Sequence, residues 1–350
     1  MGFLNSILHS TGNNSSSDDL KQELETPFEI KGSKKARRAL TAVINRTAKS
    51  EAGRAVLEKA AKAGYAIKDE YLEGAFGACD GDAKLILLDS RFLKDKLVST
   101  LAHEARHAEQ MENGAIKGYD PTKTIASALV EKRLMEGDAV AYSLLVCDQL
   151  YEQGDLKPAV VMAHQAPEMF KGFQDGKRQS PTGDKVKDAM TGAVLGWFFS
   201  ERLKIRYERI HIANPLSLGL NLKTNPADLK TVDYAQSIAK ICAFNRKPYF
   251  LADAGLLKEP VFCGVSRSTK YWINEHVAAV KACGGQPESS VESIPVYHER
   301  PSNRVGMEAY PEPLLPCARD EIKNGGVKKS LKNTAAKAVN LLKLAKQRGR

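Results

Sequence analysis

Between Leu97 and Met111 the apolar residues Leu97, Val98, Leu101, Ala102, Ala105 and Ala108 recur every three or four positions. That is the period of an α-helix with one stripe turned into a core. The spacing predicts a buried helix from about Phe92 to Glu112, stopped near Asn113-Gly114, where glycine tolerates the left-handed conformation that ends helices. Upstream, residues 34–47 and 51–63 read as two helices, the second closed by Gly64. The pattern then shortens: Tyr65–Leu72 and Gly77–Leu88 carry strand signals, with Asp80-Gly81 as a turn and Lys84–Asp89 as the strongest strand. A strand just before the buried helix can be the sheet edge on which an extended peptide lies by strand addition. Its unbroken apolar run fits a buried core strand equally well.

Downstream, Asp120-Pro121 supplies an N-cap followed by a proline in the first turn, opening a second helix to about Tyr151 that folds back on the first. Helical signals continue over Pro158–Met169, a polar loop over Gly172–Gly183, and a long helix over Asp184–Arg209 with an apolar centre at Ala193–Phe199. Val232–Phe244 and Ser268–Cys283 are further helices, and Gly284–Pro316 is rich in Pro, Ser and Glu. The expected class is α+β, a small sheet packed on the Phe92–Glu112 helix with the other helices around it.

That helix also carries candidate chemistry. His103, Glu104, Ala105, Arg106 and His107 form an H-E-x-x-H pattern. Residues four apart stack on one helix face, so His103 and His107 can share a metal ion. Zn²⁺ takes imidazole nitrogens at about 2.0–2.1 Å, and a catalytic site adds a third protein ligand and an open position for water. Glu104 is turned about 100° from His103, beside the metal without needing to bind it. It is placed to act as the general base on a water made acidic by the metal. Arg106 faces away and is expected to pair with an acid on the second helix.

The third ligand should come from that second helix, within Glu131–Tyr142. Glu136 and Asp138 stand where a carboxylate ligand and an orienting partner for a ligand imidazole are wanted. Here the sequence resembles the gluzincin group of zinc metallopeptidases. It looks most like a small family of bacterial and phage metallopeptidases with H-E-x-R-H followed by E-x-D-A, over roughly residues 35 to 240. The resemblance implies a zincin-like fold, zinc held by His103, His107 and Glu136, Glu104 as catalytic base, and hydrolysis of a peptide or protein substrate. Gluzincins often place an Asp four residues after the ligand Glu, whereas Met135 follows Glu131 and Val140 follows Glu136 at that spacing. Glu131, Glu136 and Asp138 thus all stay open, with Glu136 favoured. Tyr142 is a candidate to stabilise an oxyanion, or else a packing tyrosine.

Charge and composition change this picture at the ends. The net charge of +10 is concentrated in Ile322–Arg350, which has nine Lys or Arg and no acid and leaves 43 basic against 42 acidic residues before it. A nucleic-acid-binding core is therefore not implied. Val327–Arg348 reads as a basic amphipathic helix able to meet an anionic membrane or nucleic acid. Alternative readings of the whole chain are accordingly a catalytically silent zincin-like scaffold, or a binding protein acting through this tail. Residues 1–30 are polar and read as a disordered leader, 31–245 as the metallopeptidase-like domain, 246–321 as a helical and extended C-terminal region, and 322–350 as the tail. Six cysteines without C-x-x-C spacing, and no basic stretch leading into an apolar core at the N-terminus, suggest reduced thiols in a cytoplasm.

Overall fold

The structure, a computed structural model, describes residues 28–115, 122–208, 229–244, 247–250, 254–282 and 293–297. The basic tail and the Asp120-Pro121 cap lie outside these residues, as do Cys283 and Cys317. Side-chain caps start the first two helices. Ser33 Oγ accepts from Ala36 N–H at the head of α1 (Lys34–Thr47), and Ser50 Oγ accepts from Gly53 N–H at the head of α2 (Glu51–Lys62). Strand β1 (Ile30–Lys31) precedes them, and Phe28 just before it is already buried.

Strands β2 (Ala66–Asp69), β3 (Gly77–Asp80) and β4 (Leu85–Leu88) join β1 in a four-stranded sheet ordered β1-β2-β4-β3. The β1-β2 and β2-β4 pairs are parallel and β3-β4 is antiparallel. Asp80 closes the β3-β4 turn by accepting from the N–H groups of Asp82 and Ala83, and Lys84 takes a left-handed φ of 52°. The apolar run Leu85–Leu88 is thus an interior strand. The edges of the sheet are β1 and β3, and the one beside α3 is β3, whose sequence Gly-Ala-Cys-Asp carries no long apolar run. The edge is legible only through topology.

The two central helices are α3 (Lys94–Glu112) and α4 (Ile125–Glu152), the latter capped by Thr124 rather than by Asp120. Nearly every side of α4 is buried, as expected for a helix in the middle of its layer. Three expectations about later helices fail. The stretch read as a polar loop is helical: α5 (Lys157–Gln165) and α6 (Pro167–Gln179) are separate helices, and α6 runs through Gly172 and Gly176. Those glycines let α6 approach α7 (Lys185–Phe199) backbone to backbone. A Cβ on Gly172 would lie 2.2 Å from Gly192 O, and one on Gly192 would lie 2.1 Å from Gly172 O. What reads as a loop signal in one dimension is a close-packing device in three. The long helix read over Asp184–Arg209 breaks at Ser200, whose extended backbone separates α7 from α8 (Glu201–Glu208).

Helix α9 (Tyr234–Ile241) ends before a small hairpin of β5 (Ala243–Phe244) and β6 (Lys247–Pro248), where a continuous helix was expected. Beyond it lie α10 (Pro260–Cys263) and α11 (Arg267–Ala282). A fully buried ion pair ties this part to the centre. Arg133 of α4 donates to Glu208 Oε1 at 2.8 Å and to the carbonyls of Phe262 and Gly264, and Glu208 Oε2 accepts from Ser266 N–H and Thr269 Oγ1. Two charges can be buried this way because Glu208 and both terminal nitrogens of Arg133 are hydrogen-bonded, although Arg133 Nε is buried without a partner. The described part is mixed α and β, mostly helical with a small four-stranded sheet and a two-stranded hairpin, and none of its helices is long and apolar enough to cross a membrane.

Candidate metal centre

His103 and His107 leave one face of α3, and their Nε2 atoms lie 3.0 Å apart. Glu136 projects from the facing turn of α4, with Oε2 3.5 Å from His103 Nε2 and Oε1 3.5 Å from His107 Nε2. Tetrahedral ligands at the usual zinc bond lengths sit about 3.4 Å from one another. Each imidazole nitrogen thus has a Glu136 oxygen near that spacing, one donor atom from each residue lies within 4.8 Å of the others, and among the described residues this is the one group of three His, Cys, Asp or Glu side chains so gathered. Glu136 Oε2 is buried without a hydrogen-bond partner, an orphaned carboxylate oxygen facing two imidazole nitrogens. A cation satisfies all three donors at once.

The other two candidate carboxylates are engaged elsewhere. Glu131 accepts from Lys123 Nζ at 2.6 Å and from Ser237 Oγ at 2.8 Å. Asp138, fully buried, accepts from Arg106 Nε at 2.6 Å, Arg106 Nη2 at 3.1 Å, Gln110 Nε2 at 2.5 Å and Tyr249 Oη at 2.5 Å. Arg106 thus has the structural pairing expected of it, extended by Glu109 and the carbonyls of Ile241 and Ala243.

Asp138 reaches the imidazoles through an intermediary that the sequence reading did not single out. Gln110 Nε2 donates to Asp138 and to Met135 O, which turns Gln110 Oε1 toward His107 Nδ1 at 2.8 Å. The reverse amide orientation would put an oxygen against a carboxylate and a carbonyl. His107 Nδ1 therefore keeps a proton, and Nε2 is the nitrogen that gives up its own when a cation is held. The signal was available, since Gln110 is three residues after His107 on the same helix face.

The charges follow from burial and proximity. Burial pushes the Glu136 carboxyl up, but the two imidazoles outweigh it and hold Glu136 well below the usual carboxylate range. Burial pulls His107 down, whereas Glu136 and Gln110 pull it up more strongly, to about 9. Glu104, buried and not part of the triad, has its carboxyl raised by burial, with the imidazoles opposing and Glu136 adding to the rise. A carboxylate so raised is a better proton acceptor than one in water. It lies under the edge strand, where a Cβ on Gly77 would come 3.0 Å from Glu104 Cγ and 2.6 Å from Thr100 Cγ2.

Tyr142 does not reach the site. Its hydroxyl donates to Ala52 O at 3.1 Å, and Arg106 stacks on its ring. The tyrosine at the triad is Tyr207 of α8, which hydrogen-bonds Glu136 and packs on Trp197. No spacing rule connects a residue so distant in sequence to the motif.

A family comparison bears on this geometry. The Putative metallopeptidase family (DUF6782) matches residues 17–218, more than half of the chain. The chain belongs to that family. The match spans His103, Glu104, His107, Glu136, Asp138 and Tyr207, so the family's extent and the gathered donors coincide. A metallopeptidase family implies a bound metal and, at that coarse level, a hydrolase acting on peptide bonds. No curated protein and no solved structure matches the chain.

Proposed function

We propose that the protein is a zinc-dependent peptidase of the gluzincin type on a zincin-like scaffold, with His103, His107 and Glu136 holding the metal and Glu104 as general base. The observation that carries this reading is the triad itself: two imidazole nitrogens 3.0 Å apart, each 3.5 Å from an oxygen of Glu136, whose Oε2 is buried without a hydrogen-bond partner. Two nitrogens and one oxygen suit zinc, and one helix residue away stands a buried carboxylate that is free of the triad. A bound divalent ion supplies Lewis acidity, acidifying water and polarising a carbonyl.

The chain's own residues supply the rest. Glu104 takes a proton from the attacking water and returns it to the leaving amine. Gln110, backed by Asp138, holds His107 in the tautomer that leaves Nε2 free. Tyr207 keeps Glu136 in place through its hydrogen bond. The open edge of β3 supports an extended peptide running along Glu104, because an added strand pairs its backbone there while the residues below do the chemistry.

Elemental analysis together with hydrolysis of quenched fluorogenic peptides tests this. Wild-type protein is expected to carry one zinc per chain and to cleave. His103→Ala should lose the metal, and Glu104→Gln should keep the metal while losing about 10²–10⁴-fold in rate. A wild type that binds no zinc after incubation with the ion overturns the proposal.

A further inference from the structure

Edge strand β3 runs in the same sense as α3. Phe76, just before β3, lies by Lys96, Gly77 lies over Thr100 and Glu104, Cys79 feels the Glu104 charge, and Lys84 beyond the turn pairs with Glu112 near the end of α3. A peptide that adds antiparallel to β3, the pairing with the more stable ladder, therefore leads its C-terminal half toward Phe76 and Lys96.

Lys96 is unusual there. Its Nζ lies 2.7 Å from the centroid of the Phe76 ring and 5.9 Å from that of Phe92, and the two rings meet edge to face. Neighbouring cations are neutralised: Arg91 is held by Asp89, and Arg46 by Asp95 and Asp155. Lys96 has no carboxylate partner among the described residues, and desolvation alone lowers its pKa to about 8. Beside it, Phe92 is 37% exposed and Leu93, one turn earlier on the chain, 75%, an open apolar rim. A partly desolvated ammonium between aromatic rings, without an anion, is a receptor for one. Lys96 precedes Glu104 by eight helical residues, about 12 Å at 1.5 Å per residue, which an extended peptide covers in three to four residues.

We infer that Lys96, framed by Phe76 and Phe92, is a specificity-determining residue that pairs with an acidic side chain of the substrate three or four positions C-terminal to the cleaved bond. The inference rests on the peptidase reading above and adds the class of substrate. The aromatic rim keeps water from the pair, so the charge-assisted bond is stronger than an exposed one. It selects at a distance from the reacting atoms, so it acts through binding of the extended chain.

The experiment uses the full-length, zinc-loaded protein and eight-residue quenched peptides in which Glu, Gln or Lys is fixed at each position in turn, with cut sites read by mass spectrometry. Glu over Gln at the third or fourth position after the cut is expected to raise kcat/KM about tenfold in the wild type. The ratio should fall to near one in Lys96→Met and invert toward Lys in Lys96→Glu. An acidic preference that is absent, or that survives Lys96→Met, overturns the inference. If the wild type cleaves nothing, the peptidase reading fails separately, and fluorescence polarisation of the same labelled peptides on Glu104→Gln decides this one. Tighter binding of Glu peptides that disappears in Glu104→Gln/Lys96→Met sustains the Lys96 site, and charge-independent binding sinks it.

Discussion

Gln110 is the residue that ties the proposed metal centre to the surrounding hydrogen-bond network. It converts the buried, fourfold-bound Asp138 into a constraint on one imidazole nitrogen. Replacing Gln110 with Met keeps the volume and removes that constraint, and zinc affinity should fall about 10–100-fold, measured against a chromophoric chelator. Unchanged affinity would mean that packing alone orients the ring. His107 gives a second prediction. Its folded pKa is raised from 6.5 to about 9, so in the metal-free protein it contributes stability that is full below pH 6.5 and is lost as pH rises through 9. Zinc must displace that proton. Apparent affinity should therefore climb about tenfold per pH unit from 6.5 to 9, and a flat profile in chelator competition would show that His107 is already neutral.

At the scale of elements, the α6-α7 seam is where sequence reading and structure part most clearly. Gly172 and Gly192 meet backbone to backbone at distances that leave no room for a methyl group. Gly192→Ala should cost about 1–3 kcal/mol or more through forced separation of the helices. The melting temperature should fall by about 2–4 °C per kcal/mol, read by differential scanning calorimetry. A neutral effect would mean that the seam slides freely. The same contact explains why the Gly172–Gly183 stretch looked like a loop. Glycine's helix penalty is local, whereas the contact it permits with α7 is not. The strand reading left edge and core open for Leu85–Leu88, and the sheet order decides for the core, since hydrophobicity reports burial rather than position in a sheet.

Across the whole molecule, Arg133 and Glu208 join α4, α8 and the segment from Phe262 to Thr269. Arg133→Met strands a buried carboxylate and should lower stability by about 3–5 kcal/mol in urea denaturation, while adding Glu208→Gln should recover part of it. Tyr207 is the residue before Glu208, so the single variant should also lower kcat for any peptide the wild type cleaves. Equal stability of the single and double variants would show that the pair does not act as a unit.

The sequence by itself determined the parts of this protein that follow a short-range period. Stacking of residues four apart puts His103 and His107 on one side of α3 and Glu104 beside them, whatever surrounds the helix, and the apolar stripe beneath them marks that helix as buried. It also narrowed the third donor to a few carboxylates of one helix. Only the tertiary structure shows which of them faces the imidazoles, because that depends on partners drawn from distant segments: Lys123 and Ser237 claim Glu131, Arg106 and Tyr249 claim Asp138, and Glu136 is left beside His103 and His107. The same holds for Tyr207 and for the free edge at β3. A buried polar atom must be satisfied by whatever the fold brings to it, and that is a property of packing which no spacing along the chain encodes.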